Sequence, residues 1–229
     1  MRFRDRAEAG RRLAMLLRPY RDESMQIFGL GGGGVRVGYE VARALRVPLD
    51  IWVARQVDAP AQPGLGVGAV SEGEGFFLDV DGVRAASAPA AELTRWMDAQ
   101  AGEVALCAQR LRGPHARCVP TGGTVVLVAE GIAAGDLRIH AALRGLRRQR
   151  PQRLLLAAPA GMAGELERLR VEADEVLCVQ FTWELSCLSQ AYEAFPPVLA
   201  FEVRQLLGQA RLWAPRLPEG GLEEGGRWM

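Results

Sequence analysis

Short apolar runs alternate with amphipathic segments along most of the chain. In three of these runs, residues 25–30, 124–129 and 153–158, apolar side chains follow one another almost without interruption. Continuous apolar runs are typical of parallel strands that helices cover on both faces. The other segments predicted to be strands are 49–54 and 174–179, together with a hairpin formed by 67–71 and 75–80.

Segments with helical periodicity separate these strands. The longest is 89–112, in which Leu93, Trp96 and Met97 lie at three- and four-residue spacing. Pro89 stands at its first turn, where a missing amide hydrogen costs nothing. The other predicted helices are 4–18, 35–46, 137–149, 161–171 and 198–210. Alternating strands and helices predict an α/β fold, in which a parallel sheet is flanked by helices.

Length and composition predict one folded domain. The chain has 229 residues, of which 49% are hydrophobic, and this is enough for one sizeable core but not for two. Residues 214–229 are rich in glycine, proline and charged residues. We therefore predict a domain over residues 1–213 and a disordered tail over 214–229.

Charge and missing residue types exclude several functions. All 28 basic residues are arginine, and the formal net charge of +1 gives no support to a nucleic-acid partner. Without lysine, the chain can neither form a lysine Schiff base nor hold a nucleotide with a P-loop lysine. No apolar run is long enough to cross a bilayer, and the first residues contain no apolar signal segment. We expect a cytoplasmic protein without a membrane partner.

The cysteines do not form a recognisable metal motif. None of the four is part of a CxxC pair, and His115 and Cys118 form a single HxxC without a second half. We therefore predict no metal site and expect reduced thiols, because a core of this size needs no disulfides.

Two loops follow predicted strands and lead directly into predicted helices. One is the glycine run 31–34, and the other is 130–136. Ligands of parallel α/β sheets bind at the carboxyl ends of strands. Backbone amides and the positive end of a helix favour an anion there. For residues 31–34, a tight turn with no ligand is an equally open interpretation.

Several segments, taken in order, resemble the type I phosphoribosyltransferase family, in particular its stand-alone bacterial branch. They are Gly-Leu-Gly-Gly-Gly-Gly-Val at 29–35, then 40–45, 49–56 and 59–70, Thr-Val-Val-Leu-Val-Ala-Glu-Gly-Ile-Ala-Ala-Gly at 124–135, and Ala-Tyr-Glu-Ala-Phe at 191–195. The resemblance covers about residues 2–210. It implies a parallel sheet with a small hood from the N- and C-terminal regions, and a homodimer, for which the helix at 89–112 is a candidate contact.

The resemblance also implies transfer of ribose 5-phosphate from phosphoribosyl pyrophosphate (PRPP), with Mg²⁺ assisting the departure of pyrophosphate. In this family two adjacent carboxylates hold the ribose hydroxyls, and they fall on Ala129 and Glu130, so one is lost. The hydroxyls of the phosphate loop fall on Ala134 and Leu137. Asp136 stands where the family has a small or neutral residue; its carboxylate would repel a phosphate, and it could cap the helix that follows.

Other charged positions of the family have changed as well. Gly31 and Gly32 replace a proline and an arginine, Gln56 replaces a lysine beside the retained Arg55, and Gly64 replaces an acidic residue. Each lost contact to an ionised group would remove roughly 1.5–3 kcal/mol of binding energy. The residues predicted to line a phosphate or nucleotide pocket are Gly32, Gly33, Gly34, Arg55, Glu130, Gly131, Ala133, Ala134, Gly135 and Asp136, and Glu130 is the best catalytic candidate.

These substitutions favour a divergent phosphoribosyltransferase-like protein, catalytically impaired or repurposed, with a relict phosphate or nucleotide pocket. One alternative is an active PRPP-dependent transferase, which would require Mg²⁺; the other is an interaction protein with no ligand. Its expected partners are a phosphate-bearing small molecule or nucleotide, or another protein. His140 is a weaker candidate for a general base. Aromatic residues and an arginine cluster are predicted to serve packing or solvation: Trp52, Trp96, Tyr192 and Phe195, and Arg144, Arg147, Arg148 and Arg150.

Overall fold

Two sheets organise the computed structural model of the chain, which describes residues 2–21, 23–115, 118, 123–185 and 187–213. The strands are β1 (Met25–Leu30), β2 (Leu49–Trp52), β3 (Ala54–Asp58), β4 (Gly66–Ser71), β5 (Gly75–Leu78), β6 (Thr124–Val128), β7 (Arg153–Met162) and β8 (Glu175–Thr182). Five of them form a parallel sheet in the order β2-β1-β6-β7-β8, and β3-β4-β5 form a small antiparallel sheet. The predicted α/β fold with a parallel sheet is confirmed.

Helices cover the sheets. They are α1 (Arg6–Leu17), α2 (Gly31–Leu45), α3 (Val80–Ala86), α4 (Ala90–Arg112), α5 (Leu137–Arg148), α6 (Ala163–Leu169) and α7 (Ala200–Ala210), with short 3-10 turns at Arg18–Tyr20 and Leu188–Ala191. The apolar strands β1, β6 and β7 are buried along almost their whole length, as their composition predicts. No helix among the described residues is both long and apolar enough to cross a bilayer.

Several predicted boundaries are wrong: the strand predicted at 174–179 is β8 and ends at Thr182, and the helix predicted at 161–171 is α6 and begins at Ala163. Three further errors each reflect a contact that is distant in sequence. The strand predicted at 49–54 is interrupted at Val53, whose amide donates to the Glu72 carboxylate at 2.9 Å, so the chain leaves the parallel sheet there. The strand predicted to end at residue 158 continues to Met162 because its extension pairs with β8 on one side and with Ile132 on the other. Helix α3, between the hairpin and α4, was not predicted.

The third error concerns the glycine run. Helix α2 begins at Gly31 rather than at residue 35, so the four glycines are its first turn and not a separate loop. A Cβ atom on Gly34 would lie 2.4 Å from the carbonyl oxygen of Val128. The helix therefore starts directly against the end of β6, at a distance that only glycine permits.

The two ends of the described chain pack together, as the predicted hood requires. The amide of Phe3 donates to the carbonyl of Ala191 at 2.8 Å, and the amide of Glu193 donates back to the carbonyl of Phe3 at 2.8 Å. Phe3 and Tyr192 are buried in one small apolar cluster. The tail predicted to be disordered, 214–229, lies outside the described residues.

A buried ionic cluster joins the two sheets. Arg112, at the end of α4, bonds the carboxylates of Asp50 in β2 and Glu72 in the turn between β4 and β5. The side chains are only 6%, 1% and 8% exposed, respectively. Burial lowers the pKa of Arg112, but the hydrogen bonds and charges of the two carboxylates more than offset this, so the pKa is raised. The cluster fixes the position at which the chain passes from β2 into β3.

Candidate functional site

The strand ends bring the two predicted loops together. Strands β1 and β6 are neighbours in the parallel sheet, so the first turn of α2 lies beside the residues that follow β6. A Cβ atom on Gly33 would lie only 1.9 Å from Oε2 of Glu130. Gly33, Gly34 and Glu130 are therefore adjacent. Gly32, on the same turn, lies near Val198 and Val203 instead.

Glu130 is held by a buried arginine that the sequence analysis did not identify. Nε of Arg6 donates to Oε2 of Glu130 at 2.6 Å, and a terminal nitrogen donates to the carbonyl of Pro196 at 2.7 Å. The guanidinium carbon lies 3.8 Å from the centre of the Phe195 ring. The Arg6 side chain is 8% exposed and that of Glu130 23%. The only sequence signal was an arginine at the first position of an amphipathic helix.

Tyr192 completes this cluster from the hood. Its hydroxyl donates to the carbonyl oxygen of Glu130, and its ring packs against Phe195 at 5.0 Å between centres. Burial, and then the negative charge of Glu130, raise the pKa of Tyr192. Tyr192 and Phe195 thus serve packing, as predicted, and they tie the hood to the end of β6.

An open cleft of about 500 Å³ lies on the other side of the 131–136 loop. It is lined by Ala54, Arg55, Gln56, Ala133, Ala134, Gly135, Asp136, Arg138 and Leu188. The structure therefore brings Arg55 together with the predicted phosphate loop. The glycine run, Glu130 and Gly131 do not line this cleft; Gly131 is buried, close to Leu188.

Arg55 and Gln56 occupy the β3 wall of the cleft and point in different directions. Successive side chains of a strand alternate between its faces. Nε of Arg55 donates to the side-chain oxygen of Gln100 in α4 at 2.8 Å, and the Gln56 amide donates to Asp58 at 2.8 Å. The Arg55 guanidinium is thus attached to α4 and stands at the rim of the cleft.

Asp136 caps α5 and pairs with an arginine in the same turn. Its carboxylate accepts a hydrogen bond from the amide of Arg138 at 3.2 Å, as an N-cap does. It also accepts two from the Arg138 side chain, at 2.9 and 2.8 Å. Arg138 was not predicted as a site residue. Its only signal in the sequence is its place in the first turn of a helix, where a positive charge is unfavourable toward the helix dipole.

The backbone of this loop carries unused donors. Among the described residues, the amides of Ala133, Ala134, Gly135 and Asp136 donate to no protein acceptor. These amides precede the positive end of α5, where an anion is favourable. Capping by Asp136 satisfies the amide of Arg138 but leaves the loop amides available.

The remaining candidates face away from the cleft. His140 stacks on Phe77 with ring centres 4.3 Å apart, and its Nδ1 lies 3.4 Å from the Glu172 carboxylate. Arg144 and Arg147 form ion pairs with Glu172 and Asp174, at 2.8 Å each. These residues form an ion-paired surface. Trp52 packs edge-on against Phe28 in the core.

The described residues contain no group of three or more His, Cys, Asp or Glu side chains arranged to hold a metal ion. In the predicted HxxC, the amide of Cys118 donates to Asp50, and burial raises the pKa of its thiol to about 11.

Comparisons with known proteins identify relatives over nearly the whole chain. No protein-family model matches it. The crystal structure of TT1426 from Thermus thermophilus is similar, with 34% sequence identity and a TM-score of 0.77, over 94% of this chain and 100% of that one. Two curated proteins from two strains of Mycobacterium tuberculosis, named "Putative phosphoribosyl transferase" Rv0571c and MT0597, are each 34% identical over 208 residues, which is 91% of this chain and 47% of theirs.

The chain thus spans about half the length of the curated relatives that it matches. TT1426 is matched over its entire length at an identity that indicates common descent. The five-stranded parallel sheet flanked by helices is consistent with a phosphoribosyltransferase-like fold. The chain therefore belongs to the same family as TT1426, has a phosphoribosyltransferase-like α/β fold, and is homologous over half their length to proteins that carry the phosphoribosyl transferase name.

Proposed function

We propose that this phosphoribosyltransferase-like protein binds a phosphate-bearing small molecule of about nucleotide size in the cleft between β3 and the 131–136 loop, and that it does not transfer ribose 5-phosphate from PRPP. One observation supports the absence of ribose 5-phosphate transfer. Glu130, the one carboxylate that remains where the family has two, is committed to the buried guanidinium of Arg6 at 2.6 Å.

The loss of transfer chemistry follows from the surroundings of Glu130. The Ala129 side chain offers no oxygen to a ribose hydroxyl, and the Glu130 carboxylate lies between Arg6 and the first turn of α2. Freeing Glu130 would leave a buried guanidinium without its anion, which costs several kcal/mol. An active transferase, the main alternative, would require this rearrangement in every catalytic cycle.

Ligand binding is supported by the cleft itself. Its volume of about 500 Å³ lies within the range of small-molecule sites, roughly 300–1,000 Å³. The loop amides, which donate to no acceptor in the part of the chain that the structure describes, and the half-exposed Arg138 side chain supply donors for a phosphate. Ala54, Ala133 and Leu188 offer apolar surface to a sugar or a base. The ion pair with Asp136 uses Nε and one terminal nitrogen of Arg138, so the other terminal nitrogen can donate to a ligand.

A protein partner is the second candidate, and one surface favours it. Phe76, Leu78 and Val80 occupy alternate positions on and just after the edge strand β5, and they are 48%, 41% and 67% exposed. An apolar row on an open sheet edge is typical of an interaction site. The homodimer through the helix at 89–112 stays a prediction.

Filling the cleft tests the proposed function. Ala134 is exposed in the loop, so Ala134→Trp should occupy the cleft without entering the core. We expect the dissociation constants of ribose 5-phosphate and of adenosine 5′-monophosphate, measured by calorimetry, to rise at least about tenfold, a loss of about 1.4 kcal/mol. Ala61→Trp, on an exposed loop away from the cleft, should bind as the wild type does. Wild-type protein that binds neither compound, or an Ala134→Trp variant that binds them unchanged, would refute the proposal.

A further inference from the structure

The family implies a divalent metal ion at its reaction centre, and the carboxylates of this chain do not fit one. Protein-bound Mg²⁺ takes oxygen ligands in near-octahedral geometry, and usually one or two of them are carboxylates. Position 129 is alanine, and Oε2 of Glu130 accepts from Arg6. Both carboxylate oxygens of Asp136 accept from Arg138. Each acidic side chain around the strand end is therefore already paired with an arginine of this chain.

We propose that Arg6 is a built-in cation that takes the place of a divalent metal ion at the end of β6, and that the neighbouring cleft, which neither Arg6 nor Glu130 lines, binds its phosphate-bearing ligand without Mg²⁺. This inference rests on the proposed function for the ligand, but its claim about the metal concerns Arg6 and Glu130 alone. The site thus differs from its family in the cation that it uses, which is an arginine instead of a divalent metal ion. It also differs in the residues that it has lost.

The contacts of Arg6 show that its position is built into the fold. The guanidinium bonds Glu130 and the carbonyl of Pro196 and lies over the Phe195 ring, so it connects α1, the end of β6 and the hood. An arginine side chain is not deprotonated in proteins. The fold therefore holds a positive charge beside Glu130.

A metal ion at Glu130 would meet two unfavourable fields. It would lie beside the Arg6 guanidinium, at the few-ångström distances at which charges interact strongly in partly buried sites. It would also face the first turn of α2, which contains no acidic residue and carries the positive end of a 15-residue helix. Both fields stabilise the ionised carboxylate of Glu130 and oppose the binding of a second cation to it.

The ligand's charge is then balanced by arginine and amide donors. Arg138 lies on the wall of the cleft with its side chain 44% exposed, and the loop amides have no protein acceptor among the described residues. Hydrogen bonds from arginine and backbone amides to a phosphate are charge-assisted and need no metal bridge. Binding should therefore be insensitive to removal of divalent cations.

Manganese tests the metal claim without any ligand, because bound Mn²⁺ broadens nearby amide resonances. In wild-type protein, we expect the amides of Gly33 and Gly131 to be broadened no more than those of exposed surface residues. In Arg6→Gln, where Glu130 loses its permanent cation, both should broaden selectively. Arg11→Gln, which removes a charge from a 45%-exposed side chain of the same helix, should behave as the wild type.

Selective broadening of Gly33 and Gly131 in the wild type, abolished by Glu130→Gln, would overturn the proposal. A folded Arg6→Gln variant without broadening would overturn the role of Arg6. If Arg6→Gln does not fold, the comparison of wild type with Glu130→Gln decides.

A second experiment measures ligand binding. The dissociation constant of ribose 5-phosphate should agree within twofold between excess Mg²⁺ and EDTA, and a tenfold dependence on Mg²⁺ would contradict the proposal. Absence of ribose 5-phosphate binding in both buffers would refute the proposed function, while the manganese result would still decide the metal claim.

Discussion

Replacing Arg112 by methionine should lower the free energy of unfolding by about 3–5 kcal/mol, the usual cost of removing one partner from a buried ion pair. The reason is the pair of carboxylates left behind. Asp50 and Glu72 are almost completely buried, and Arg112 is the cation that bonds both. Arg112 also donates to the carbonyl of Ile51. Methionine fills a similar volume, so the loss measures unbalanced charge more than a cavity.

Urea unfolding followed by circular dichroism checks this effect. Arg110→Met is a matched control, because Arg110 is exposed in the same last turn of α4, and its effect should stay within about 0.5 kcal/mol. An Arg112→Met protein as stable as wild type at pH 7 would contradict the role assigned to this cluster.

Gly34→Ala should be the most destabilising alanine substitution in the glycine run, with a loss of about 2–3 kcal/mol from overpacking. Its Cβ atom would lie 2.4 Å from the Val128 carbonyl oxygen and 3.1 Å from the Gly29 backbone. Neither neighbour is a flexible side chain, so the helix must move away from the sheet. Gly33→Ala displaces only the carboxylate of Glu130. Because this carboxylate is the far end of a flexible side chain, the substitution should cost less stability than Gly34→Ala.

Gly32→Ala is the internal control for this series. Its Cβ atom would meet only the side chains of Val203 and Val198, at 3.3 Å and beyond, and alanine is favoured over glycine inside a helix by up to about 1 kcal/mol. Thermal unfolding should therefore rank the variants with Gly32→Ala the most stable and Gly34→Ala the least. Equal stabilities for the three would show that the run is not a packing element.

The parallel sheet could be predicted from sequence because its signal is local. Three apolar runs and the helical periodicity between them are sufficient, and they locate β1, β6 and β7 to within a few residues. Boundaries failed where a distant partner decided them. The Glu72 carboxylate binds the amide of Val53 where the chain leaves the sheet, and pairing with β8 and Ile132 extends β7 to Met162. No periodicity in a single segment carries this information.

In the candidate site, too, local features could be predicted from the sequence and distant contacts could not. The residue types around 130–136 were sufficient to predict a pocket without its usual charges, and the cap by Asp136 could be predicted from its position before a helix. Arg6 could not be predicted, since it lies 124 residues from Glu130 in the chain and nothing near it marks it as a partner. The separation of the glycine run from the cleft also depends on packing, because α2 begins directly against β6.

Calorimetric titration of wild-type protein with PRPP, once with Mg²⁺ and once with EDTA, decides whether the chain binds PRPP as a transferase does. The pairing of Glu130 with Arg6 and the alanine at position 129 predict no Mg²⁺-dependent binding of PRPP. Mg²⁺-dependent binding that Glu130→Gln weakens would contradict this expectation, because Glu130 would then hold the substrate instead of Arg6.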